Sequence, residues 1–441
     1  MATRNDPVWV ETLYDRLAND EDGRVCEAIS DQACRETPGN FFRTLLANSL
    51  TSIGDRIASA KTTLPWLLAD LAAPAWCTSL LVPIRESGSM LPQLAIGALV
   101  RRLPIRKSVW VAGSLVQGIC LFGMASVALT MTGAPAGLAI LGLLILFSLA
   151  RGACSIAYKD VLGKTIPKTR RGRLSGWISA VAGSSAMLVG AGLVSFSQID
   201  QATVYSIILA GGAIFWFVAA VVYATIIEYP GETGGGINGL GEAVGKLALL
   251  WQDRPFGTFV IARALAMGSG LAAPFYVTLA RDDLGQASGY LGIFIAVEGL
   301  AALISAPIWG YFSDHSSRLV FAAACGLASL MSFTVVIWSL SDLGPQLSAW
   351  YYPIAFFGLG IAHAGVRLGR KTYLVDLAEG NRRTDYVAVS NTVIGALLLA
   401  SGVFSAAVAS LSLQAAIVVL ASAGLLGSVL SLTWKETHRE A

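Results

Sequence analysis

The sequence has little charge. Only 13% of its 441 residues are Asp, Glu, Lys or Arg, against about 25% in a soluble domain. So few charges cannot coat a water-facing surface of this size, and a mean hydropathy of +0.64 makes lipid the expected solvent. The net charge of +3 gives no basis for binding nucleic acid. Catalytic and metal-binding patterns are missing too. The six cysteines, at 26, 34, 77, 120, 154 and 325, are scattered, and most sit in apolar runs, so buried free thiols are expected. His315, His363 and His438 stand apart, without zincin spacing. Gly163-Lys164-Thr165 has Tyr158 where a P-loop needs its first Gly, and a Gly-x-Ser-x-Gly elbow is absent. Neither an enzyme nor a cofactor is expected. The first 30 residues are polar and acidic, without a basic stub and apolar core, so a cleaved signal peptide is not expected.

What the chain does have is long apolar runs and 46 glycines, a residue frequent where membrane helices pack closely. A span needs about 20 mostly apolar residues. Twelve runs qualify: 43–68, 77–100, 108–131, 135–158, 174–197, 203–227, 256–280, 287–312, 319–340, 349–369, 386–410 and 413–434. The first is interrupted by Asp55, Arg56 and Lys61, with Pro65 and Trp66 expected to kink and anchor it. Residues 1–40 read as an amphipathic cytosolic segment, with Val10, Leu13, Tyr14 and Leu17 at helical spacing and a second short helix near Val25, Ala28 and Ile29. The Gly-rich stretch 229–255 is the longest gap between spans. The expected division is therefore 41–228, a central loop 229–255, 256–434 and a tail 435–441.

Lys and Arg concentrate in alternate loops, at 101–107, 159–173 and 367–383, while 132–134 and 411–412 have none. With an even span count this places both termini and the basic loops in the cytoplasm of a bacterial inner-membrane protein. The two halves also repeat at an offset of about 213. Asp70 falls on Asp283, and Gly97 on Gly310. Tyr158–Leu162 resembles Tyr373–Leu377, each followed by an Arg pair, Arg170-Arg171 and Arg382-Arg383. The expected fold is all-α, with twelve transmembrane helices in two pseudo-symmetric six-helix bundles and a site near the midplane.

Ionisable residues inside spans cost several kcal/mol unless they face protein or a wet cavity. Glu86, Ser89, Gln93 and Gly97 form one stripe on the second span, and Arg85 points about 100° away, toward another partner. Glu298 stands alone in an apolar stretch of the eighth span, close to the repeat-related position. Asn48, Ser52, Asp55, Ser59 and Thr62 make a stripe on the first span. Arg151, with Ser148, Ser155 and Lys159, makes one on the fourth. His363 and Arg367 share a face of the tenth, where Arg367 reads either as interfacial or as part of a site. Each carboxyl reads either as a proton- or solute-binding group or as a structural hydrogen-bonding group. The cations Arg56, Lys61, Arg85 and Arg151 against Asp55, Glu86 and Glu298 lean toward an anionic or zwitterionic solute.

Gly310-Tyr311-Phe312-Ser313-Asp314 followed by Arg318 resembles the loop signature of the major facilitator superfamily. The first-half copy is degenerate, with Gly97 followed by Arg101 in place of Asp, then Arg102, Arg106 and Lys107. Arg171-Gly172-Arg173-Leu174-Ser175-Gly176 resembles the family's basic loop after the fourth span, and Asp160 precedes it. The stretches 82–89 and 160–167 are similar to a bacterial branch of the family. The resemblance covers about 41–434. It implies a secondary transporter working by alternating access with solute or ion coupling and without ATP. With the charge balance and the carboxyls Glu86 and Glu298, the expectation is a monomer that moves a small polar, anionic solute with proton coupling. In family members an Arg on the fourth helix often serves coupling, which would fall to Arg151. Two alternatives stay open: a multidrug or metabolite exporter, although the fifth span lacks the Gly-Pro signature of drug exporters, and a non-transporting scaffold.

Overall fold

The computed structural model of the protein describes residues 10–11, 13–14, 29–91, 96–97, 99–100, 102–195, 201–231, 233, 245–284, 288–313, 315–341, 344–377 and 382–435. Among the described residues every regular element is a helix. The first half holds α1 (Asp31–Arg35), α2 (Thr37–Ile57), α3 (Thr63–Asp70), α4 (Ala75–Met90), α5 (Lys107–Thr130), α6 (Gly133–Thr165), α7 (Lys168–Ser195) and α8 (Gln201–Ala224). The second holds α9 (Leu249–Gln252), α10 (Arg254–Leu265), α11 (Gly268–Leu271), α12 (Ala273–Leu284), α13 (Ser288–Ser313), α14 (Ser317–Ser339), α15 (Pro345–Leu377), α16 (Arg382–Ala409) and α17 (Leu413–Ser431).

Local sequence sets several boundaries. Asp253, Ser316 and Ser412 accept from Phe256, Leu319 and Ala415 N–H groups, capping α10, α14 and α17. Gly133, at a φ of +68°, reverses the chain between α5 and α6. Nine helical stretches among the described residues are long and apolar enough to cross a membrane. The other expected spans fall on α2–α3, on α4 and on α15, where charges or a break interrupt the apolar run. The fold is thus the expected all-α membrane bundle.

Within the first half α8 packs on α5 and α2, and α6 packs on α5 and α4. Within the second, α14 packs on α15 and α17, and α13 on α15. The halves meet along two helix pairs, α7 with α13 and α4 with α16, and more lightly where α3 touches α12.

The first span differs from its expected form. It breaks at Ala58–Thr62, ahead of Pro65, and resumes as α3. Trp66 is fully buried against the ring of Phe294, 6.3 Å away, so it packs between the halves and does not anchor an interface. The seventh span is broken too, into α10, α11 and α12. Interrupted spans at matching places in two repeats point to a binding region beside them.

On the side of the basic loops, Tyr14 of the N-terminal segment is buried against Phe41, with ring centroids 5.4 Å apart, and shares a cluster with Ile166 and Leu174. The short helix expected near Val25 and Ala28 lies outside the described residues. Four cysteines, 77, 120, 154 and 325, are free and buried as expected. Cys34 departs from that expectation, because it is disulfide-bonded.

Candidate functional site

The charges of the interrupted first span gather at the interface between the halves. Asp55, near the end of α2, takes both neighbouring guanidiniums. Arg85 of α4 reaches Oδ1 at 2.7 Å, and Arg151 of α6 bonds Oδ2. Small residues permit this convergence: a Cβ on Gly88 would lie 2.6 Å from that of Ser148, so only glycine lets α4 approach α6 so closely. Arg85 also lies over the ring of Phe147, 4.8 Å from its centroid. The expectation that Arg85 pairs away from Glu86 therefore describes its contact with Asp55.

Glu298 of α13 does not stand alone, as the sequence suggested. Arg56 approaches it at 3.5 Å, and Ser59, in the break, donates to it at 3.4 Å. Hydropathy could not show this, because both partners come from the other half. Lys61, also in the break, donates its backbone N–H to Ser59 at 3.2 Å and lies within electrostatic reach of Glu298, Glu86 and Arg367.

Glu86 is solvent-exposed although it sits in mid-helix, and its surroundings are Lys61, Arg85, Arg367 and Arg370. One turn on, Ser89 donates to the Glu86 carbonyl at 2.8 Å. His363 of α15 sits 3.3 Å from the Ser269 hydroxyl at the break in the seventh span, and Arg367 follows one turn later, exposed. Arg370 completes that face within reach of Arg367 and Glu86. Behind it, Arg263 of α10 is buried and donates to Ser390 at 2.6 Å and Asn391 at 3.0 Å.

Arg370 and Arg263 were not singled out from the sequence. Arg370 looks like one more member of the basic 367–383 region, and only the 33-residue length of α15 carries it inward. Arg263 was available as a lone cation in the seventh apolar run. Gln93 lies outside the described residues.

The loop-signature residues do something more local. Glu228, after α8, accepts the backbone N–H groups of Arg106 and Lys107 at 3.0 and 2.7 Å and the Lys164 ammonium at 3.0 Å. Asp160 pairs with Arg106 and, at 2.8 Å, with Lys164. Arg171 donates to the Gly163 and Ile166 carbonyls, both at 2.9 Å, closing the end of α6. Arg173 is exposed. Arg318 donates to the Trp434 carbonyl at 2.9 Å. Gly97 is buried, and Gly310 has open space where a Cβ would stand. Arg101 and Asp314 lie outside the described residues.

On the opposite side the halves are tied directly. Arg281, at the end of α12, meets Asp70, at the end of α3, at 2.6 Å, and the Tyr205 hydroxyl donates to the same carboxylate. Asp283, the repeat partner of Asp70, also accepts a tyrosine hydroxyl, from Tyr352.

Residues 258–441 match the family model of the Major Facilitator Superfamily. No functionally curated protein matches the chain by sequence. Among solved structures it is similar to a nucleoside transporter, NupG, at 13% identity and a TM-score of 0.66, covering 90% of this chain and 98% of that one. It is similar to a D-xylose–proton symporter with the same identity, score and coverage. It is also similar to a peptide transporter, POT, solved with sulfate, at 12% identity and a TM-score of 0.67, covering 89% of this chain and 93% of that one.

Proposed function

We propose that this chain, whose residues 258–441 match the Major Facilitator Superfamily model and whose fold is similar to that of solved transporters, is a secondary transporter that moves a small anionic solute by alternating access, with proton coupling. One observation carries the anionic reading. Six cations, Arg56, Lys61, Arg85, Arg151, Arg367 and Arg370, surround the three carboxylates Asp55, Glu86 and Glu298 between the halves. An excess of cations in a region of low dielectric attracts anions and repels lipophilic cations. The similar transporters handle a nucleoside, a sugar with a proton, and peptides. Their common fold therefore supports transport without choosing the solute.

Two carboxyls suit proton coupling. Glu86 faces solvent among cations, and Glu298 joins the second half to Arg56 and Ser59 of the first. A proton on Glu298 would remove the charge that holds Arg56 and loosen the two halves. If the basic loops lie in the cytoplasm of a bacterial inner membrane, as their charge favours, Asp70 and Arg281 would close the outer side of this form. Purified protein in proteoliposomes tests the reading. Uptake of an anion should follow an imposed pH gradient and collapse with a protonophore. A panel of anions that all fail to move, while a neutral sugar or nucleoside does, would refute it.

A further inference from the structure

Three cations of the cleft lack an anionic partner of their own. Both oxygens of Asp55 are taken by Arg85 and Arg151, and Glu298 is taken by Arg56 and Ser59. Among the described residues Lys61, Arg367 and Arg370 enter no ion pair. The carboxylate left to them is Glu86, which lies within electrostatic reach of all three and of Arg85. Arg263 is buried behind them and donates to Ser390 and Asn391, so a ligand cannot reach it. Glu86 offsets one of these three charges and two remain; the cleft's third excess charge is shared by Arg85 and Arg151 on Asp55.

These charges stand on opposite halves. Lys61 is fixed in the break of the first span through Ser59, which itself holds Glu298. Arg367 and Arg370 are three residues apart on α15 and so share a face. Two guanidiniums side by side offer planar forks to carboxylate or phosphate oxygens, and a lysine across from them offers a point charge. Unpaired cations at this depth are costly, and a ligand that neutralises them gains strongly in low dielectric.

Resting on the anion-transport reading, we propose that the cleft is a site for a small organic dianion, held between Lys61 of the first half and the Arg367–Arg370 pair of the second. Between Lys61 and the arginine pair a monoanion leaves one of these two charges unmatched, and a trianion brings one negative charge more than they carry. Short dicarboxylates and phosphate monoesters share the required chemistry. Because the ligand touches both halves, it links binding to their approach.

The test uses full-length protein in detergent, at matched ionic strength. Thermal unfolding is followed with acetate and lactate, with succinate, malate, glycerol 3-phosphate and glucose 6-phosphate, and with citrate. Succinate or malate responding alone identifies a dicarboxylate site, and the two phosphates responding alone a phosphate-ester site; either supports the proposal. The effective dianions should raise the unfolding temperature by several degrees. Lys61→Gln and Arg370→Gln should keep the unliganded unfolding temperature yet bind the dianion roughly tenfold or more weakly.

Lactate or acetate stabilising as well as the dianions, with anion flux intact, overturns the dianion while leaving anion transport standing. The same holds if citrate alone responds. No response to any dianion, with anion flux intact, also overturns it. Flux of neutral solutes alone removes both readings.

Discussion

At the scale of single residues, the cleft separates paired charges from unpaired ones, and the two kinds should fail differently. Asp55 holds two guanidiniums apart. Asp55→Asn leaves Arg85 and Arg151 facing each other with no anion between them. Breaking a buried pair costs about 3–5 kcal/mol, but Arg151 is 38% exposed and solvent screens part of this, so about 1–3 kcal/mol is expected. Thermal unfolding in detergent should fall by several degrees, and adding Arg151→Gln should recover part of the loss. Arg367→Gln, by contrast, removes an exposed cation with no ion pair among the described residues and should leave the unfolding temperature unchanged or raise it, while abolishing most solute flux. Equal destabilisation by Asp55→Asn and Arg367→Gln would mean that this division between paired and unpaired charges is wrong.

At the scale of elements, hydropathy made the helices legible because each buries or exposes a whole apolar run, and that requires no partner to be known. The positions of Asp55, Arg151 and Glu298 were legible for a related reason: a charge in an apolar run is conspicuous. Their partners were not legible. Arg56 meets Glu298 across 242 positions of sequence, and a repeat offset does not reveal which faces of two bundles meet. The break at Ala58–Thr62 was also hidden, since Pro65 offered a more obvious place for a kink. Close helix approach is similarly invisible in composition, yet it can be tested directly. A Cβ on Gly190 of α7 would lie 2.6 Å from the Ala296 nitrogen and 2.8 Å from the Ala296 Cβ of α13. Gly190→Val must therefore push the two helices apart or shift one along the other. Such overpacking costs about 1–3 kcal/mol. Its unfolding temperature should fall, whereas Gly192→Val on the same helix, where a Cβ meets open space, should be nearly neutral. Similar losses for both would show that α7 and α13 do not pack as described.

At the scale of the whole molecule, the two ends differ in how their charges are used. On the basic side Glu228, Asp160, Arg106, Lys164 and Arg171 bond one another and nearby backbone within the first half, tying α6, α8 and the chain before α5 together. On the opposite side Asp70 and Arg281 join one half to the other, and both are about one-tenth exposed. Alternation from this form must break that ion pair, so the pair biases the equilibrium toward the form described here. Asp70→Asn or Arg281→Gln should weaken the bias. A change of about 1–3 kcal/mol would raise the population open on the Asp70 side roughly 5- to 150-fold. A cysteine at Ser89, one turn from Glu86 in the cleft, reports this: the free native thiols at 77, 120, 154 and 325 are all buried. A membrane-impermeant maleimide added outside sealed vesicles of right-side-out orientation should label Ser89→Cys slowly, and much faster once Asp70→Asn is added. Exchanging the charges, Asp70→Arg with Arg281→Asp, should slow labelling again, because it restores attraction between the halves although it forfeits the hydrogen bond from Tyr205. Labelling that ignores both the single change and the exchange would show that the ion pair contributes nothing to closure, and that the helix contacts of α7 with α13 and α4 with α16 hold the outer side alone.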